Sequence, residues 1–203
     1  MIRKFFVILC ISILNVAAFA QINHTYEWDS PQYSPIETEF ANENQIIVFE
    51  KKIVEYYFEK STGYFKQLNV LHKKVQVNSE DAISGYSKLY LPTVTQSKSL
   101  EFERARVITK DGKVRELDKS AIKTSKDEET KREYNYLAFE GVEKGSQIEY
   151  FFVTIQNPDY KGTSYFYQSD VVKQEVDFTL IAPANLKFVF KSLNNAFVPI
   201  ADT

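Results

Sequence analysis

The sequence predicts an all-β protein, an antiparallel β-sandwich with at most one or two short helices. Three observations predict it. About ten short segments are rich in β-branched and aromatic residues, the residue types that fit a pleated, half-buried surface. Gly, Pro, Asn and Asp clusters separate those segments at turn-like intervals. Apolar residues keep helical spacing over no long stretch, and no repeat of 20–50 residues is present. Unequal strand lengths and a long charged loop favour a sandwich over a barrel.

The first twenty residues stand apart from that pattern. Arg3 and Lys4 precede an apolar run over residues 5–14, too short to span a bilayer. Ala18-Phe19-Ala20 then places small residues at −3 and −1 of a cleavage site before Gln21. Residues 1–20 are therefore read as a signal peptide, 21–44 as a polar lead and 45–203 as a single β-sandwich domain. Cys10 lies inside the apolar run and follows Leu9, which excludes it as a lipid-attachment cysteine. Cleavage would remove Arg3, Lys4 and Cys10, leaving 183 residues with 23 basic and 27 acidic side chains. A chain without cysteine has no disulfide, no thiol nucleophile and no thiolate metal site.

The whole chain has 203 residues, a formal charge of −2, 44% hydrophobic and 26% charged residues. That composition is globular. Its near-neutral balance argues against nucleic acid as a partner.

Each element follows in order. In the lead, Pro35 after Ser34 suggests one short helical turn capped by Ser34. Trp28 has two readings, an anchor for the lead or a stacking platform. Residues 46–49 form a first apolar run. Residues 53–59 and 64–77 flank Ser61-Thr62-Gly63 and read as a long hairpin. Ser79 before Glu80 and Asp81 opens a helix that Gly85 keeps short. Residues 89–91 give a brief strand closed by Pro92. Residues 100–108 and 114–117 pair across Asp111-Gly112. Residues 110–133 carry eight basic and seven acidic side chains and read as a solvated loop, with one turn near 118–122. Further strands are expected at 134–139, 146–156, 163–169, 175–181 and 186–190. The apolar run Tyr150-Phe151-Phe152-Val153 suits a central strand covered on both faces.

Little in the chain marks a reaction. His24 and His72 are the two histidines, and neither has a metal-ligand partner at a recognised spacing. No nucleophile elbow, S-x-x-K motif or glycine-rich phosphate loop is present. His72-Lys73-Lys74 reads as polar positions of a strand. Asp127, Glu128 and Glu129 read as surface charge rather than a glycosidase pair. Thirty aromatic residues are the compositional excess. They can fill a core or form an exposed strip for stacking sugars or a protein partner.

From residue 45 to about 194 the order of features resembles a known family. Residues 39–49 and the hairpin, acidic turn and short strand of residues 51–92 carry the likeness. So does Gly141-Val142 followed by Gly145-Ser146-Gln147-Ile148-Glu149-Tyr150. The resemblance is to the uncharacterised N-terminal domain that precedes transglutaminase-like domains in secreted Bacteroidetes proteins. It implies an immunoglobulin-like β-sandwich. It also implies a longer polypeptide in which a papain-like domain with a Cys-His-Asp triad follows. No residue of that triad maps onto this chain.

The resulting expectation is an exported, non-catalytic β-sandwich module, periplasmic or at the cell surface, with no cofactor and no membrane span after cleavage. Its partner would be a downstream transglutaminase-like domain of the same polypeptide. The alternative is a stand-alone module binding glycan or peptide. Trp28, Tyr165 and Tyr167 are the candidate interface or stacking residues; catalytic and metal residues are expected to be absent.

Overall fold

The computed structural model describes Trp28, residues 31–117 and residues 119–200. The expected signal peptide, Cys10 and His24 lie outside the described residues. Trp28 falls in an N-terminal unit, Met1–Ser30, and everything below concerns the compact unit Pro31–Thr203.

Among the described residues, nine strands in two sheets form an all-β sandwich. In chain order they are β1 (Gln45–Phe58), β2 (Phe65–Val77), β3 (Lys88–Tyr90), β4 (Lys98–Ile108), β5 (Val114–Leu117), β6 (Ile122–Lys126), β7 (Glu133–Ala138), β8 (Gln147–Gln156) and β9 (Val176–Ile181). The larger sheet has the order β5-β4-β8-β2-β1-β9, and the smaller one β3-β7-β6. Every pairing is antiparallel except that of β9, which runs parallel to β1.

The two apolar runs expected at 46–49 and 53–59 are one strand. A bulge between Ile47 and Phe49 lets β1 continue through both, paired along its length with β2. The hairpin then closes through residues 59–64. The helix expected after Ser79 is α1 (Glu80–Gly85). Ser79 caps it, its hydroxyl accepting from the Ala82 amide at 3.2 Å, a contact worth about 1 kcal/mol. The hairpin predicted at Asp111-Gly112 joins β4 to β5.

The core lies between the sheets. Val77, Ala105, Val107, Ile148, Tyr150 and Phe152 of the large sheet meet Leu89 and Leu137 of the small one and Phe139 just after β7, with Ala82 of α1 beside them. β8 is buried over eight consecutive residues, Gln147 to Thr154, as a central strand covered on both faces requires.

Four local expectations are corrected. The charged stretch 110–133 is not all loop, because Ile122–Lys126 forms β6 against β7. Only Ile122 of β6 packs toward the core, so the strand carries almost no apolar signal. Ser34 caps no helix; the short 3-10 turn lies later, at Thr38–Phe40. Residues 163–169 and 186–190 are not strands. In the first of these, Tyr165 and Tyr167 are half-buried while Phe166 is exposed, so the period-2 pattern is real. That pattern reports which way side chains alternate. It does not report whether a backbone neighbour exists to complete a ladder.

Candidate docking interface

The polar residues of the large sheet converge within its interior. Cross-strand register places Lys74 of β2 and Arg106 of β4 on either side of Glu149 in β8. Arg106 Nε donates to Glu149 Oε2 at 2.8 Å, Lys74 Nζ lies 3.3 Å from the same oxygen, and His72 Nε2 lies 2.7 Å from Oε1. The Glu149 side chain is 2% exposed. Burial alone would raise its pKa. The hydrogen bonds from His72 and Arg106, with the charges of Lys74 and Arg106, outweigh that and hold it at about 2. His72 also packs edge-on to Phe49 and Phe151, at ring separations of 4.7 and 5.5 Å. The His72-Lys73-Lys74 segment is thus polar and within a strand, as read, but His72 and Lys74 are buried and Lys73 is half-buried on the other face.

Residues 32–34 of the lead lie on this polar face and are fastened to it. Tyr33 donates to the Gln76 side chain and to the Gly145 carbonyl, both at 2.9 Å. The Ser34 amide donates to Gln147 Oε1 at 2.8 Å, and Gln147 Nε2 returns a bond to the Ser34 carbonyl at 2.7 Å. Lys74 Nζ donates to the Gln32 carbonyl at 3.0 Å and to Ser34 Oγ at 3.1 Å.

A serine beside a lysine invites a test for nucleophilic chemistry. Lys74 spends its protons on Glu149, the Gln32 carbonyl and Ser34, a use of the ammonium form. A general base needs the free amine, with its lone pair facing the hydroxyl. Burial lowers the Lys74 pKa and Glu149 opposes that shift. The geometry joins strands and lead; it does not present a reacting hydroxyl. Among the described residues no group of three or more His, Cys, Asp and Glu side chains could hold a metal ion.

The predicted stacking residues are placed as follows. Trp28 is 6% exposed. Tyr165 and Tyr167 pack on Phe178 of β9, with ring separations of 4.7 and 6.2 Å, and Phe197 lies 4.3 Å from Tyr167. Tyr165 and Tyr167 thus belong to one aromatic cluster and are half-buried. A second aromatic group lies at the end of the long hairpin, where Tyr56 stacks on Phe65 and packs at a tilt against Phe188.

An exposed apolar stretch lies further along the chain. Val189, Leu193 and Ile200 stand out in solvent, at 97, 60 and 96% exposure, with Phe190 and Val198 between them. At the centre of this stretch Asn194 and Asn195 both adopt left-handed backbone, φ 52° and 59°. The Ala196 amide donates to the Leu193 carbonyl at 3.1 Å. Two successive left-handed residues closed by that bond make a type I′ turn, the turn that joins hairpin strands. A hairpin turn is therefore formed while the residues on either side of it join no ladder.

Sequence reasoning missed both features. The signal for the first was Glu149 inside an apolar run, since a carboxylate in a doubly covered strand needs cationic partners. The signal for the second was Asn194-Asn195 between two apolar runs.

The family model of the domain of unknown function DUF3857, which includes a solved structure, matches residues 67–202. No curated protein matches the chain. Among solved structures, the chain is similar to the crystal structure of a proposed protease from Parabacteroides distasonis. The identity is 14% and the TM-score 0.55, over 70% of this chain and 29% of that one. At that identity the likeness is one of fold. The aligned part is less than a third of that protein.

Proposed function

We propose that this chain, which belongs to the DUF3857 family, serves as a non-catalytic β module, exported, that docks onto a transglutaminase-like or cysteine-protease-like catalytic domain of the same polypeptide. The observation that carries this reading is the apolar stretch around Asn194-Asn195. Val189 and Ile200 are almost fully exposed and flank a formed hairpin turn. Isolated apolar side chains on a surface need no explanation, but a contiguous run of them marks an interaction site. The Parabacteroides relative supports the reading, because there the matching fold adjoins further polypeptide. The N-terminal pattern of residues 1–20 supports export, and no helix among the described residues is long and apolar enough to cross a membrane.

The test is the reading frame beyond codon 203. A frame that continues into a domain with Cys, His and Asp in triad order supports the proposal. Hydrogen exchange on that longer product should then show residues 186–200 protected, relative to the chain ending at Thr203. A stop codon directly after Thr203 overturns it.

A second reading, a glycan-binding module, is favoured by a different surface. Tyr90 and Tyr134 lie exposed on the small sheet, and the Tyr90 ring lies 6.2 Å from that of Tyr134 and 5.9 Å from that of Tyr136. Tyrosine rings on an open sheet face suit sugar stacking better than the half-buried Tyr165 and Tyr167. Glycan-array binding that is lost in Tyr90→Ala and kept in Tyr167→Ala would favour it.

A further inference from the structure

Glu50 of β1 lies on the sheet face opposite Glu149, since its cross-strand partner is Lys73 and not Lys74. Three ammonium groups converge on its carboxylate. Lys52 Nζ is 2.8 Å from Oε1, Lys173 Nζ 3.3 Å from the same oxygen, and Lys73 Nζ 3.1 Å from Oε2. Among the described residues none of these lysines forms a second ion pair. One carboxylate against three ammonium groups leaves a local formal charge of +2. The Glu149 cluster differs, because there Arg106 reaches a second carboxylate, Glu116.

The place of this charge matters as much as its size. The Glu50 side chain is 6% exposed and that of Lys173 9%, so water screens the excess poorly. Lys73 and Lys52 reach the surface, at 17 and 27% exposure. The cluster is therefore anchored in the interior and open at one side. Buried charges are stable when paired. Lysine ammonium groups are compact point charges that favour carboxylate and phosphate oxygens.

We infer that Lys52, Lys73 and Lys173 form a receptor for a small oxyanion, a carboxylate or phosphate group, with Glu50 as the strut that gathers the three ammonium groups. Glu50 neutralises one positive charge and holds the lysines within reach of one point. The incoming anion neutralises the remainder from the exposed side. This site is independent of the docking stretch around Asn194-Asn195.

The experiment titrates the full chain with sodium acetate and, separately, with inorganic phosphate at constant ionic strength. The readout is the lysine Cε–Hε resonances. The expected result is a saturable shift at Lys73 and Lys173, with the midpoint about tenfold weaker in Lys173→Gln. Saturation by acetate alone assigns a carboxylate ligand, and by phosphate alone a phosphate ligand. Lys113→Gln, on an exposed lysine, should leave the midpoint unchanged. If Lys173→Gln fails to fold, Lys52→Gln, nearer the surface, replaces it. Shifts that grow linearly without saturating overturn the proposal, as does a midpoint that neither substitution moves.

Discussion

Arg106 Nε donates to Glu149 Oε2 across 2.8 Å, with both side chains 2% exposed. This contact ties β4 to β8 at side-chain level, and the same carboxylate ties β8 to β2 through His72 and Lys74. Glu149→Gln keeps the shape of the side chain but leaves buried Lys74 without its countercharge and Arg106 with only the half-exposed Glu116. Such a break costs about 3–5 kcal/mol. Glu116→Gln removes the other, half-exposed partner of Arg106 and should cost under about 1 kcal/mol. Urea unfolding of the two variants checks the contrast, and similar losses in both would show that burial of the pair is irrelevant.

Acid should unfold the protein through the same groups. Glu50 and Glu149 are both held at about 2 in the fold, against 4.5 as the ordinary value. For Glu50, burial pushes upward, and Lys52 and Lys73 outweigh it. Because both values are depressed, the unfolded chain binds protons more readily than the folded one. The stabilisation is complete above about pH 4.5 and is lost as pH falls toward 2. Thermal midpoints measured between pH 6 and pH 2 should drop mainly below 4.5. A Glu149→Gln variant should show a shallower drop from its lower starting point.

These two clusters also explain how far the sequence could be read. The sheet elements were legible because Phe, Leu and Val recur with alternation along 65–77 and, more loosely, Leu, Phe, Val and Ile along 100–108, and because Ser79 and Asp111-Gly112 have local chemistry that needs no tertiary context. β6 was not legible, because its ladder with β7 is made by backbone and its side chains are mostly wet. Residues 163–169 failed the other way, since inward-facing Tyr165 and Tyr167 imitate a strand with no ladder beside it. The pairing of Glu149 with Arg106, 43 positions apart, depends on the register of two strands with a bulge between Leu100 and Phe102. Register over such separations is a tertiary property, so the cluster was hidden even though each charged residue was visible.

Gly145 turns the chain into β8 with φ of 88°. Its amide donates to the Val77 carbonyl at 2.7 Å, and its own carbonyl accepts from Tyr33. A Cβ added there would meet Lys110 Cδ at 3.8 Å, an ordinary contact. The cost of Gly145→Ala is therefore backbone strain alone, about 1–2 kcal/mol. Loss of Tyr33 anchoring should accompany it. Faster proteolysis within residues 31–40 of the variant, with the sheet still folded, is the expected outcome. An unchanged cleavage rate would separate the turn from the lead.

Phe178 is the apolar centre of β9, 8% exposed and in contact with Tyr165 and Tyr167. Tyr167 in turn holds Phe197, beyond the Asn194-Asn195 turn. Phe178→Ala should cost about 3–5 kcal/mol, the usual range for a buried ring. It should also loosen the turn region, because Tyr167 loses the ring it rests on. Phe166, between the two tyrosines in sequence, is 75% exposed, and Phe166→Ala should stay within about 0.5 kcal/mol. Denaturation measures the first difference, and hydrogen exchange at 193–198 measures the second. If Phe178→Ala lowers stability but leaves exchange at 193–198 unchanged, the aromatic chain from β9 to Phe197 does not carry the turn. Phe188 on Tyr56 would then be the aromatic contact to test next.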